Sequence, residues 1–200
     1  AKSASEQDSL YYQIAEKLYF EDNCGEAIPA FSDYLRRFDD GYFRLQVHYF
    51  RADCLFKDKQ YAQALEDYEF VIQNTTNPNY LEISYLRAAK VHHLINENYP
   101  RAYDHYQRLL DVSSSKNITL EALNGLVVTS FETGRYNQTE QYARQLLDND
   151  QATRDNRIDA HYYLAKAAYA NNDLELAMSE FTRTAEMTEN EKGVEARYHM

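Results

Sequence analysis

The chain has 200 residues and a formal net charge of −11, from 32 acidic and 21 basic residues, and such a field repels phosphate backbones and anionic lipid, arguing against nucleic-acid or membrane-surface binding. No apolar run approaches the roughly 20 residues needed to cross a bilayer, and residues 1–20 lack the basic head and apolar stretch of a signal peptide. Gly and Pro are scarce, at 5 and 3, while Tyr reaches 19 and Trp is absent, a balance that favours amphipathic helices packed on helices.

A small residue recurs at positions 27, 64, 102, 139 and 177, as Ala27, Ala64, Ala102, Thr139 and Ala177. The spacing is 37 or 38 residues throughout, and a fixed period of this length marks a stack of structural repeats. A second small residue precedes each one inside an aromatic segment: Ala15, Ala52, Ala88, Val127 and Ala165. Small residues at both places let two helix axes approach closely. In chain order the two small residues of each repeat are its first anchor (Ala15, Ala52, Ala88, Val127 and Ala165) and its second (Ala27, Ala64, Ala102, Thr139 and Ala177), and Phe31, Tyr68, Tyr106 and Phe181, each four residues after a second anchor, fill the adjoining space.

In chain order the pattern predicts helices over 6–21 and 24–38, 43–57 and 60–73, 79–95 and 99–111, 117–132 and 136–148, then 154–170 and 174–188. Five helical hairpins therefore span 6–38, 43–73, 79–111, 117–148 and 154–188. Asn and Asp, with Gly134 in the fourth hairpin, supply the turns. Pro29 and Pro100 fall near helix starts, where a missing N–H is tolerated, and Pro78 marks a loop between hairpins. The segment 190–200 repeats the start of the fifth hairpin, since Ala196-Arg197-Tyr198-His199-Met200 matches Ala160-His161-Tyr162-Tyr163-Leu164. The pattern stops within a sixth repeat, so the expectation is a single array belonging to a longer protein, because an array normally ends in a polar cap.

The run Tyr49-Phe50-Arg51-Ala52-Asp53-Cys54-Leu55-Phe56, followed by Tyr61-Ala62-Gln63-Ala64-Leu65-Glu66-Asp67-Tyr68, resembles the tetratricopeptide repeat family. The fifth hairpin is similar, and the fourth keeps the Gly134-x-Tyr136 turn; the resemblance covers residues 8 to 200. Two departures stand out: a period of 37–38 rather than the family's 34, and the absence of the repeat-closing proline except at Pro78. The resemblance implies an all-α fold, a right-handed α-solenoid of antiparallel helix pairs whose first helices line a concave groove. It implies a scaffold for a protein or peptide partner. A structural spacer or self-associating module, giving a homo-oligomer, is the alternative. The aromatic-rich segments also resemble bacterial cell-envelope members of the family.

Three residues before each first anchor stand Tyr12, Tyr49, Tyr85, Asn124 and Tyr162, and four after it Tyr19, Phe56, His92, Phe131 and Tyr169. Rows seven residues apart share one helix face. With Asp53 and Lys166, which directly follow their anchors, they form the expected partner groove. Aromatic rings anchor interfaces well, but the same rings could equally pack the seam between neighbouring first helices. The Lys, Asn and Arg set by which family members clamp a C-terminal carboxylate is missing, so a clamp of that kind is not expected.

No catalytic residue, cofactor or metal site is expected. The histidines, His48, His92, His93, His105, His161 and His199, include no i, i+4 pair. His48 and His161 occupy equivalent repeat positions and read as packing residues. Cys24 and Cys54 offer no disulfide framework; Cys24 reads as a small packing residue in a turn, and Cys54 beside Asp53 as a poor thiolate. Glu66-Asp67 reads as ordinary exposed helix charge, and no Gly-rich phosphate loop or Gly-x-Ser-x-Gly occurs. Sequons at Asn74, Asn117 and Asn137 matter only in a secreted eukaryotic setting. Lack of a disulfide framework suits a cytoplasm, whereas the envelope resemblance and the Tyr and Asn content lean towards a bacterial periplasm.

Overall fold

A computed structural model describes residues 4–200. Among the described residues there are eleven α-helices and no strand: α1 (Ala4–Phe20), α2 (Cys24–Arg37), α3 (Arg44–Lys57), α4 (Tyr61–Asn74), α5 (Pro78–Leu94), α6 (Tyr99–Val112), α7 (Lys116–Glu132), α8 (Tyr136–Asp148), α9 (Arg154–Ala170), α10 (Leu174–Met187) and α11 (Glu191–His199). The all-α architecture of consecutive helix pairs stands as the repeat pattern predicts. Pro78 is a correction of detail: it opens α5 rather than lying in a loop, at a position where proline's missing N–H costs nothing. The chain divides into two compact units, residues 1–91 and residues 92–200, with the division inside α5.

The period reappears in the backbone. Asp22, Lys59, Glu97, Gly134 and Asn172 all have positive φ, between 50° and 73°, and each sits in the turn joining the two helices of a hairpin. One left-handed residue ends the first helix and starts the turn. The backbone N–H two residues on from Glu21 donates to Leu18 at 2.9 Å, and Gln60 N–H to Leu55, Arg135 N–H to Ser130 and Asp173 N–H to Ala168 each at 2.8 Å. Only the fourth hairpin uses glycine here; the other four side chains accept a strained conformation. Helix starts are capped by Asn23, Asn98, Asp173 and Asn190, and Thr153 forms a reciprocal box with Asn156.

Within the first unit, Tyr12, Ala15, Ala27, Phe31, Tyr34, Val47 and Cys54 form one core, and Ala52, Leu55, Ala64, Tyr68 and Ala88 another. In the second unit the cores are Leu123, Val127, Ala143, Leu146, Ala160 and Leu164, then Ala165, Ala168, Ala177, Phe181 and Ala196. All ten anchors are buried, as are the large residues that follow the second anchors. Close helix approach at the anchors and aromatic filling beside them is ridge-into-groove packing.

A feature the sequence reading did not anticipate ties α2 to α3: Cys24 and Cys54 are joined by a disulfide, their Cα atoms 5.2 Å apart. Cys24 begins α2 and Cys54 lies in the last turn of α3, so the bond joins different hairpins across 30 residues. Two cysteines in separate repeats are not a framework in sequence, but the stacking of one hairpin's turn on the next hairpin's first helix brings them together. The argument for a cytoplasm from missing disulfides falls with it.

Candidate partner-binding face

In the first unit, the face is built by α1, α3 and α5. Tyr19, half-buried near the end of α1, donates its hydroxyl to Asp53 Oδ2 at 3.0 Å. Asp53 on α3 also receives Arg87 Nη1 from α5 and Lys57 Nζ at 3.1 Å. Arg87 lies 4.7 Å over the Phe56 ring and donates to the Tyr68 hydroxyl at 2.7 Å. Three successive first helices are thus pinned by one carboxylate and one guanidinium, with aromatic faces screening the cation. Tyr49 packs edge-on against Tyr80 at 5.1 Å and remains half-buried, as does Tyr85.

Burial pushes the Asp53 carboxyl up, but the Arg87 charge, then hydrogen bonds from Arg87, Lys57 and Tyr19, outweigh it and hold it below its ordinary value. A carboxyl lowered in the folded state contributes stability that is present above its ordinary range near pH 4 and lost as pH falls further. Asp53→Asn is therefore expected to cost about 1 kcal/mol at neutral pH. It should also flatten the decline of melting temperature below about pH 4. Thermal melts of both proteins across pH 3–7 check this; parallel curves would refute it. The Tyr19 hydroxyl is pushed up by burial and then by Asp53, so it stays a neutral donor throughout that range.

Tyr12 belongs to the seam instead. It is buried, its ring stacked on Phe43 at 4.1 Å, with its hydroxyl on Glu16. Burial, then Glu16, raises its pKa.

In the second unit, His92 is buried with its ring 5.4 Å from His105. Asn124 Oδ1 accepts from Asn156 Nδ2 at 3.3 Å. Phe131, Tyr162 and Lys166 do converge: the Lys166 ammonium lies 4.8 Å from the Phe131 centroid and 5.0 Å from that of Tyr162. Tyr162 is itself buried, with its hydroxyl donating to Glu195 on α11. Tyr169 is 58% exposed. Each row is therefore mixed. Tyr12, His92 and Tyr162 are packed between helices, while Tyr19, Tyr49, Phe56, Tyr85, Phe131 and Lys166 keep part of their surface open.

Sequence reasoning missed Arg87, which completes the first-unit cluster, and misread Asp67. That carboxylate is 1% exposed and is bound by His48 Nδ1 at 2.7 Å and by Arg51 through Nε at 2.8 Å and Nη2 at 2.7 Å. It is no exposed helix charge. His161 meets the buried Glu180 in the same way in the fifth hairpin.

Residues 12–78 match the family model described as Tetratricopeptide repeat. No curated protein sequence matches the chain. Solved structures with the same fold include a tetratricopeptide repeat protein from Parabacteroides merdae ATCC 43184, 14% identical with a TM-score of 0.64, the match covering 98% of this chain and 74% of that one. MamA from Desulfovibrio magneticus RS-1 is 16% identical with a TM-score of 0.60, over 94% and 97%. The C-terminal part of a repeat-containing protein from Cytophaga hutchinsonii is 19% identical with a TM-score of 0.59, over 94% and 70%. At these identities the likeness is one of fold.

Proposed function

We propose that this chain, which carries tetratricopeptide repeats, is a protein–protein interaction scaffold that holds a peptide or partner protein on the exposed face of its first helices. The observation that carries the reading is the Tyr19–Asp53–Arg87–Phe56 cluster of the first unit. It fixes half-open aromatic rings and a compensated charge on three consecutive helices, a face ordered before any partner arrives. Such repeats are generally interaction scaffolds and not catalysts, which agrees with a face that offers rings and paired charges. Within the described residues no helix is long and apolar enough to cross a membrane.

The test is capture from the native lysate by wild type and by Tyr49→Ala/Phe56→Ala/Tyr85→Ala, with circular dichroism confirming that both are helical. A partner held by wild type and weakened at least about tenfold in the variant supports the reading, since hot-spot truncations cost about 2 kcal/mol or more. Equal affinity for every captured partner would remove these rings from the interface.

A second reading, self-association, has its own support. Tyr169 and Tyr198 flank the His199 ring at 6.0 and 5.6 Å, and they, Leu174, Met178 and Val194 in the last three helices are each more than half exposed, apolar surface of the kind a second copy could cover. A mass that rises with concentration in light scattering, and falls back in Met178→Glu/Tyr198→Glu, would favour it.

A further inference from the structure

The Cys24–Cys54 bond joins a partly buried sulfur to a fully buried one. Cys24 is the first residue of α2, behind the Asn23 cap, where the helix dipole favours a thiolate. Cys54 sits in the core with Tyr12, Phe31 and Val47, next in the chain to Asp53. The two sulfurs therefore differ in both roles that matter for thiol exchange. The reachable sulfur, Cys24, can be attacked only if the electron pair leaves on Cys54, where burial disfavours the anion. The attack with the better leaving group would expel Cys24, but it must reach Cys54 inside the core.

The bond also ties the first hairpin to α3. The first hairpin packs on α3 within its unit through both of its helices. Apart from the disulfide, its polar ties to the second hairpin include the Tyr19–Asp53 hydrogen bond, the Arg51 Nη1 bond to Ser32 Oγ at 3.1 Å, a 3.5 Å ion pair between Lys57 and Asp22, and the Phe43 N–H bond to the Tyr34 hydroxyl.

We propose that Cys24–Cys54 is a shielded redox clasp. It keeps the first hairpin docked on α3, resists reduction while that hairpin is docked, and frees the hairpin once reduced. Reduction by a dithiol proceeds through an opened hairpin. One reductant thiolate attacks a protein sulfur, forming a mixed disulfide and breaking the Cys24–Cys54 bond, with the electron pair leaving on the other cysteine. The reductant's second thiol then resolves the mixed disulfide. Two electrons pass to the protein, the dithiol leaves as a disulfide, and its two protons end on the two cysteine sulfurs. The loosened hairpin carries Tyr19 away from Asp53, so a partner on that face would be released. This last consequence rests on the scaffold reading, whereas the clasp does not and can be read with no partner present.

The test uses the whole chain, with free thiols counted by maleimide mass shift and backbone opening followed by hydrogen exchange. The oxidised chain is expected to contain no free thiol and to react with millimolar dithiothreitol at least about a hundredfold more slowly than in unfolding urea. After reduction, amide protection across 4–37 should fall at least about tenfold while that of 92–200 is unchanged. Cys24→Ser, which leaves the core residue Cys54 in place, should reproduce the loosened exchange without reductant. Free thiols in the aerobically purified chain, reduction as fast folded as unfolded, or unchanged protection in both reduced protein and Cys24→Ser would each overturn the proposal.

Discussion

Replacing Asp67 with alanine is expected to lower the stability of the first unit by about 3–5 kcal/mol, the range for removing one member of a buried ion pair. The Asp67 side chain is 2% exposed and takes both prongs of the Arg51 guanidinium together with His48 Nδ1. Arg51 is itself largely buried and also donates from Nη1 to Ser32 Oγ on α2 at 3.1 Å, so it cannot swing to solvent without breaking one of the ties between the first and second hairpins. Removing the carboxylate leaves a cation in the packed interior with one hydroxyl for company. Most of the loss should therefore belong to the stranded charge rather than to the bond. Asp67→Ala/Arg51→Leu is accordingly expected to recover at least about 1 kcal/mol of the single-variant loss. Urea midpoints of the three proteins decide it. A single-variant loss under about 1 kcal/mol would mean that water or a neighbouring group already compensates Arg51.

The counterpart in the second unit sharpens that expectation. Glu180 meets His161 where Asp67 meets His48, and both pairs are separated by 19 residues. Glu180 has no bidentate guanidinium, only Arg183 at 3.8 Å with a largely exposed side chain. If a stranded buried cation causes the loss, Glu180→Ala should cost clearly less than Asp67→Ala.

These pairs also mark where the sequence stopped being readable. The period, the ten anchors and the helix limits to within about two residues follow from small residues recurring at constant spacing, because close helix approach tolerates nothing larger there. The left-handed turn residue recurs with the same period, yet four of its five occupants are not glycine, so composition conceals it. The equivalence of His48 and His161 was visible; their acidic partners were not, because a carboxylate beside Glu66 reads as surface charge until the second helix is rotated into place. Laying the repeats over one another position by position brings Asp67 onto Glu180 and would have exposed the recurring pair. The disulfide asks for more: it joins the turn of one hairpin to the first helix of the next, so aligning repeats does not pair its cysteines.

The binding rows were legible as rows but not as surfaces. Tyr12, Tyr49 and Tyr162 hold equivalent positions, yet Tyr12 and Tyr162 are buried against Phe43 and beneath the α11 carboxylate of Glu195, while Tyr49 stays half open. A tyrosine three residues before a small anchor points between two first helices. Whether it is covered depends on the residue arriving from the next repeat, which no single position specifies. Asp53 gained its role in the same way, from Arg87 one repeat later.

The fourth hairpin breaks the aromatic pattern at Asn124-Gly125, and the packing gives the reason. A Cβ on Gly125 would lie 2.4 to 2.6 Å from ring atoms of Tyr106, the aromatic that fills the space beside Ala102. Tyr106 is buried, with its hydroxyl 3.3 Å from His93 Nδ1, so its ring has little room to retreat. Gly125→Val is expected to cost about 3 kcal/mol, the upper end of the range for an overfilled core. Tyr106→Leu alone should cost about 2 kcal/mol, by emptying the space over the glycine. Combined, the two changes should destabilise by at least about 1 kcal/mol less than their sum, because valine then occupies volume the ring has vacated. Denaturant titration of the four proteins measures that coupling directly. Strict additivity would mean that the ring moves aside without cost, and that the glycine is retained for helix packing elsewhere than at Tyr106.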